Sequence, residues 1–163
     1  MNNEMDDFAV APGVPNAFGL LGAEANAVAP EKRPLSSMSP TIVLKNGEPV
    51  MSVGAAGGPK IITQSLLAIV RYIDLQQGIA EALRSPRFHH QWSPDQLLVE
   101  ASTDEVILDR LRELGHQIQT SRVVGISQAI ARESISGAGL RASHDPRVPG
   151  LAQGWNEGKK PRD

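Results

Sequence analysis

The chain has 163 residues and 17.4 kDa, enough for one domain, with 40% hydrophobic and 21% charged residues, a globular balance. With 16 Lys and Arg against 18 Asp and Glu there is no basic excess to hold a nucleic-acid backbone, and 4% aromatic residues offer little for base stacking. The absence of cysteine excludes disulfides, thiolate metal sites and a Cys nucleophile.

No apolar run is long enough for a membrane span, and the acidic start, with Glu4, Asp6 and Asp7, is the reverse of a signal peptide. Residues 7–32 carry Pro12, Gly13 and Pro15 without helical or strand period and read as a long loop. Thr41 to Lys45 and Pro49 to Val53 flank Asn46-Gly47, the pattern of a tight hairpin. Gly54 to Pro59 then leads into a helix with Ile62, Leu66, Ile69 and Ile73 on one face. A short helix over Gly78 to Arg84 stops before Pro86, and Leu97 to Glu100 reads as a strand. Ser102 with Glu105 forms a capping-box pattern for a helix carrying Ile107, Leu111 and Leu114, closed by Gly115. Gln117 to Arg122 and Gly125 to Arg132 read as strands, and Gly137 with Gly139 marks a turn. The order of elements predicts an α+β fold with antiparallel sheet.

Several constellations bear on chemistry. On an extended segment Glu4 and Asp6 would share a face, with Asp7 opposite; a pocketed carboxylate there suits a substrate ammonium, and a solvated acidic terminus is the plainer alternative. Ser36 and Ser37, beside Lys32 and Arg33, suit a carboxylate or simply form a Ser-rich turn, and no general base stands near them in sequence. Gly57 and Gly58, at the entrance to a helix, present backbone N–H groups to an anion or an oxyanion, or serve only as a tight turn. The segment fails the P-loop pattern, because Pro59 and Ile61 replace residues that pattern needs. Adjacent His89 and His90 point to opposite faces of a strand, which favours packing next to Trp92 over a metal site. Ser143-His144-Asp145 cannot align as a triad, and Gly125 to Ala129 does not make a nucleophile elbow.

Asn2 to Phe8, Pro12 to Asn16, Lys32 to Thr41, Gly54 to Gly58, Pro86 to Trp92 and Asp145 to Arg147 together resemble the small subunit of γ-glutamyltransferases, also called glutathione hydrolases. The resemblance runs over residues 1–155, leaving 156–163 as a polar tail, and implies part of an N-terminal-nucleophile hydrolase αββα sandwich with antiparallel sheets. It implies γ-glutamyl transfer and hydrolysis through an acyl-enzyme, without a cofactor or metal, by an autoprocessed precursor whose large subunit is the partner. Asp7 would hold the substrate α-ammonium with help from Glu4, Ser36 and Ser37 the α-carboxylate, and the Gly57 and Gly58 N–H groups the oxyanion. Pro12, Asn16 and Phe18 would fall in a lid loop, where Phe18 replaces the Tyr in which many bacterial members resemble one another. The family's nucleophilic Thr lies several dozen residues upstream of Asn2, so this chain is expected to carry no nucleophile and to be inactive alone. A non-catalytic fragment that only binds ligand or a large subunit is the alternative, and a γ-glutamyl-polymer hydrolase or acylase is another. The family habit implies a periplasmic or extracellular location, and neither nucleic acid nor membrane insertion is expected.

Overall fold

The computed structural model describes residues 4–133 and 139–154; Gly137 and the polar tail lie outside them. Strands β1 (Thr41–Lys45) and β2 (Glu48–Ala56) form the expected hairpin, and Asn46 and Gly47 both take the positive φ its turn requires, 53° and 82°. Helix α1 (Lys60–Ile73) follows, entered through Pro59 at its N-cap, and then α2 (Ile79–Arg84). The remaining elements are β3 (Phe88–Gln91), β4 (Gln96–Glu100), α3 (Glu105–Glu113), β5 (Ile118–Ser121), β6 (Ile126–Arg132) and β7 (Leu140–Ser143).

Two sheets result. One has the order β1-β2-β6-β7 and is antiparallel throughout; the other has the order β3-β4-β5. In the second, β4 and β5 run parallel, a departure from an all-antiparallel arrangement. The cause is α3, which carries the chain back across the sheet between them, as parallel neighbours require.

Helices α1 and α2 cover one face of the four-stranded sheet. Met51, Val53, Ala129 and Ala131 meet Ala68, Tyr72, Ile79 and Leu83 there, and Tyr72 closes the contact by donating its hydroxyl to the carbonyl of Arg132 (2.9 Å). A smaller core joins Leu97, Val99 and Leu108 with Leu111 and Ile118. The opposite face of the four-stranded sheet is open, with Ile42, Leu44, Ile130 and Leu140 exposed.

Both helices bury only part of the face expected of them. In α1 the buried residues are Ile61, Gln64, Ser65, Ala68 and Tyr72, while Ile62 and Leu66 are 55% and 56% exposed. The expected stripe is therefore split: Ile69 and Ile73 pack against the core, while Ile62 and Leu66, nearer the N-terminus of α1, face outward. In α3 Leu108 is buried and Leu111 packs beside it, while Ile107 and Leu114 are exposed. Ser102 is not the cap of α3: the helix starts two residues later, and the Asp104 carboxylate accepts the N–H of Val106 (2.8 Å).

Candidate functional site

Residues 4–40 wrap around the entrance to α1. Glu4 to Asp7 form a 3-10 turn rather than an extended segment, so Glu4 and Asp7, three residues apart, share a side of the turn. The Asp6 carboxylate accepts the N–H of Ala17 (3.1 Å), and its carbonyl accepts the Asn16 amide (3.0 Å). Asn16 Oδ1 in turn accepts the N–H groups of Phe18 (2.9 Å) and Leu20 (3.0 Å), so one side chain shapes the tip of the loop. The loop closes on itself through Gly13 N–H to the Gly22 carbonyl (2.9 Å), and Pro12 stays exposed at its outer edge.

A cavity of about 590 Å³ opens beneath this loop. Asp6, Asp7, Asn16, Asn26, Ser36 and Ser37 line it, together with apolar Phe8, Leu35 and Ile62; the Asp6 carboxylate is already engaged by Ala17 N–H. Thus Asp7 and the two serines, far apart in sequence, share one cavity. Glu4, Pro12 and Phe18 do not line it, and its wall reaches α1 at Pro59, the residue after Gly58. Ser36 Oγ accepts the N–H of Met38 (3.2 Å), which orients the hydroxyl locally. A carboxylate and paired hydroxyls on one cavity have the chemistry to hold the two charged ends of an amino acid.

Beside the cavity, β2 ends at Ala56 and the chain turns through Gly57 and Gly58 with φ of 137° and 59°. Among the described residues, no acceptor pairs with the N–H of either glycine. The Phe18 ring lies against Gly58 so closely that a Cβ there would sit 2.7 Å from it. Gln91 fixes the same loop tip: Nε2 donates to the carbonyls of Phe18 (3.3 Å) and Ser93 (2.8 Å). Its Oε1 pairs with His89 Nε2 (3.0 Å), and His89 Nδ1 pairs with Thr63 Oγ1 (2.8 Å). Thr63 and His89 have the types of a nucleophile and base, yet neither lines the cavity, and the pair fastens α1 to β3. Trp92 is 73% exposed, so His89 is held by these hydrogen bonds and not by packing next to Trp92. His90, on the other face, meets Asp95 (2.8 Å).

Behind the glycine turn lies a buried polar network. Gln64 Nε2 donates to the Ala56 carbonyl (3.3 Å), while its Oε1 accepts from Ser127 Oγ (2.9 Å) and Arg87 (3.2 Å). Arg87 pairs with fully buried Asp145 (2.7 Å), which also accepts the N–H groups of Ser127 (2.7 Å) and Arg147 (3.0 Å). Arg147 joins Asp145 to Glu100. Burial pushes the Asp145 carboxyl up, but those N–H donors and the Arg87 charge outweigh it and hold the group below its ordinary value. Glu100 is likewise held low: burial opposes, and the Arg147 guanidinium and Val124 N–H prevail. Asp145 is thus a structural anchor. Sequence reading gave no role to Asn26, Gln64, Gln91 or this network, because Asn26 and Gln64 have partners distant in the chain, and Gln91, Arg87 and Arg147 stood only within strings that carried the resemblance.

A family model for gamma-glutamyltranspeptidase matches residues 1–155. The chain is 49% identical over 130 residues to the glutathione hydrolase proenzyme of Escherichia coli strain K12, covering 80% of this chain and 22% of that protein. It is 36% identical over 156 residues to Scoloptoxin SSD20 of Scolopendra dehaani, covering 95% of this chain and 78% of that protein. A solved Helicobacter pylori gamma-glutamyltranspeptidase variant superposes with a TM-score of 0.84 at 47% identity, over 91% of this chain and 81% of that one. The chain spans about a fifth of the length of the bacterial proenzymes it matches, 22% and 18% in two cases. No helix among the described residues is long and apolar enough to cross a membrane. On its match across 155 residues and its mixed α/β fold, the chain belongs to the gamma-glutamyltranspeptidase family of N-terminal-nucleophile hydrolases.

Proposed function

We propose that the cavity binds the γ-glutamyl head group of glutathione and related amides, and that the complete protein transfers or hydrolyses that group. The observation that carries this reading is the meeting of Asp7, Ser36 and Ser37 on one cavity next to the Gly57-Gly58 turn. Asp7 takes the α-ammonium, with Glu4 adding negative charge from the same side of its turn. Ser36 and Ser37 take the α-carboxylate. The N–H groups of Gly57 and Gly58 then face the carbonyl oxygen as it becomes an oxyanion, and Pro12, Asn16 and Phe18 belong to the loop that covers the bound group.

The chemistry is acyl transfer. A hydroxyl nucleophile, supplied from outside these 163 residues, bonds to the amide carbon. The tetrahedral intermediate collapses by breaking the carbon–nitrogen bond, and the amine leaves with a proton. Water or an acceptor amine then attacks the acyl ester. Each oxyanion donor is worth about 3–4 kcal/mol in sites of this kind. Family membership supports, as parts of the same proposal, a large-subunit partner and a location outside the cytoplasm.

The test is steady-state hydrolysis of a γ-glutamyl anilide by the protein that contains this chain. Asp7→Asn and the Ser36→Ala/Ser37→Ala pair should each raise KM by about tenfold or more, since hydrogen bonds to charged groups contribute about 1.5–3 kcal/mol. An unchanged KM in both would remove Asp7 and the serines from the site.

A further inference from the structure

Asn26 occupies the end of the 3-10 turn Glu24–Asn26 and lines the cavity, yet no motif reading reaches it. Its amide Nδ2–H donates to the carbonyl of Asp7 (2.7 Å), 19 positions away. Its Oδ1 accepts the N–H of Leu35 (3.0 Å), 9 positions away and adjacent to Ser36. Its backbone carbonyl accepts the N–H of Ala9 (2.9 Å). One residue therefore ties the segment carrying Asp7 to the segment carrying Ser36 and Ser37. An amide is suited to this, because one end must donate and the other accept. The serines themselves do not bridge the gap: Ser36 Oγ accepts from Met38 N–H, and the Ser37 carbonyl accepts from Ser39 Oγ, both local bonds. Residues 31–40 lie outside any helix or strand, so the sheets and helices do not themselves set the position of the serines.

We propose that Asn26 is a positioning residue that sets the spacing between the carboxylate and hydroxyl ends of the cavity, and thereby makes it selective for a ligand bearing an ammonium and a carboxylate on one carbon. This rests on the γ-glutamyl reading above. Each end of the Asn26 amide already holds one of the two chain segments, so its role is to position them. Its effect is on preference: releasing it lets the two ends move apart, and a ligand with both groups loses its advantage over a ligand with one.

The experiment compares three anilide donors on the complete protein: γ-glutamyl, glutaryl (no ammonium) and aminobutyryl (no carboxylate). Wild type should prefer the first over both others. Absence of that preference in wild type would refute the γ-glutamyl reading itself, and this inference with it. In Asn26→Ala both preferences, as ratios of kcat/KM, should fall by about tenfold, the loss of one or two hydrogen bonds. KM for the intact donor should rise more than kcat falls. Asn26→Asp keeps the acceptor for Leu35 N–H and loses the donor to Asp7, so the preference over the aminobutyryl donor should stay at the wild-type level while the glutaryl comparison changes. If Asn26→Ala does not fold by circular dichroism, Asn26→Asp carries the test. A wild-type enzyme with the expected preferences, together with a folded Asn26→Ala that keeps both, would overturn the assignment while leaving the γ-glutamyl reading intact. Loss of kcat alone in that variant would overturn it equally, as would loss of the carboxylate preference in Asn26→Asp.

Discussion

At the scale of single residues, the glycine turn depends on atoms placed behind it. Gly125 has a φ of 71°, and a Cβ there would lie 1.7 Å from Gln64 Nε2. Its α-hydrogens therefore leave the room that Gln64 needs to reach the Ala56 carbonyl, and a Cβ on Gly57 would meet the Gly125 Cα at 3.2 Å. Gly125→Ala combines left-handed strain with displacement of a buried amide, and a loss of about 2–4 kcal/mol in urea unfolding is expected. In a Gln64→Ala background the same substitution should be milder, because the clashing atoms are gone; additive effects in that double-mutant cycle would contradict the packing argument.

At the scale of elements, α3 offers a clean check of the corrected cap. Asp104→Ala should destabilise the chain by about 1 kcal/mol, whereas Ser102→Ala should be near neutral; the reverse order in thermal melts would restore the capping box. The helix shows where sequence reading succeeds and stops. Periodicity located α1 and α3, and Asn46-Gly47 located the hairpin, because those signals are local. Which face turns inward was not local. Of the apolar stripe of α1, Ile69 and Ile73 pack against the core but Ile62 and Leu66 do not; Ala68 and Tyr72 meet the sheet, and Gln64 is buried because Ser127 and Arg87 supply its partners from distant parts of the chain. The same limit applies to the cavity. Asp7, Ser36 and Ser37 stood out in the sequence only as weak signals with plainer alternatives, and the resemblance joined them. Asn26 carried no signal, and Gln91 stood only within the Pro86 to Trp92 string without a role, since the fold supplies the Asp7, Leu35 and Phe18 groups they hold.

At the scale of the molecule, the buried ion-pair network joins the two sheets' connections and makes stability depend on acid. Asp145 and Glu100 are held below their ordinary values, so the folded chain binds fewer protons at these groups than the unfolded chain does. Their contribution is therefore present above the unfolded carboxylate range of about 4 and is lost as pH falls through their folded values. Urea midpoints should change little on this account between about pH 7 and 5 and then drop. Asp145→Asn leaves Arg87 buried beside a neutral group, so it should lower stability at neutral pH by about 3–5 kcal/mol and flatten the acid limb. Parallel pH profiles for the variant and wild type would show that Asp145 does not titrate with folding.

The central claim concerns what the cavity is for. It is tested most directly by release of anilide from a γ-glutamyl anilide, measured for the complete protein and for the 163-residue chain alone. If, as proposed, the cavity takes the γ-glutamyl head group and the attacking hydroxyl comes from outside these residues, the complete protein turns over and the chain alone does not. Turnover by the chain alone would place the nucleophile within it, and no turnover by the complete protein would contradict the γ-glutamyl assignment.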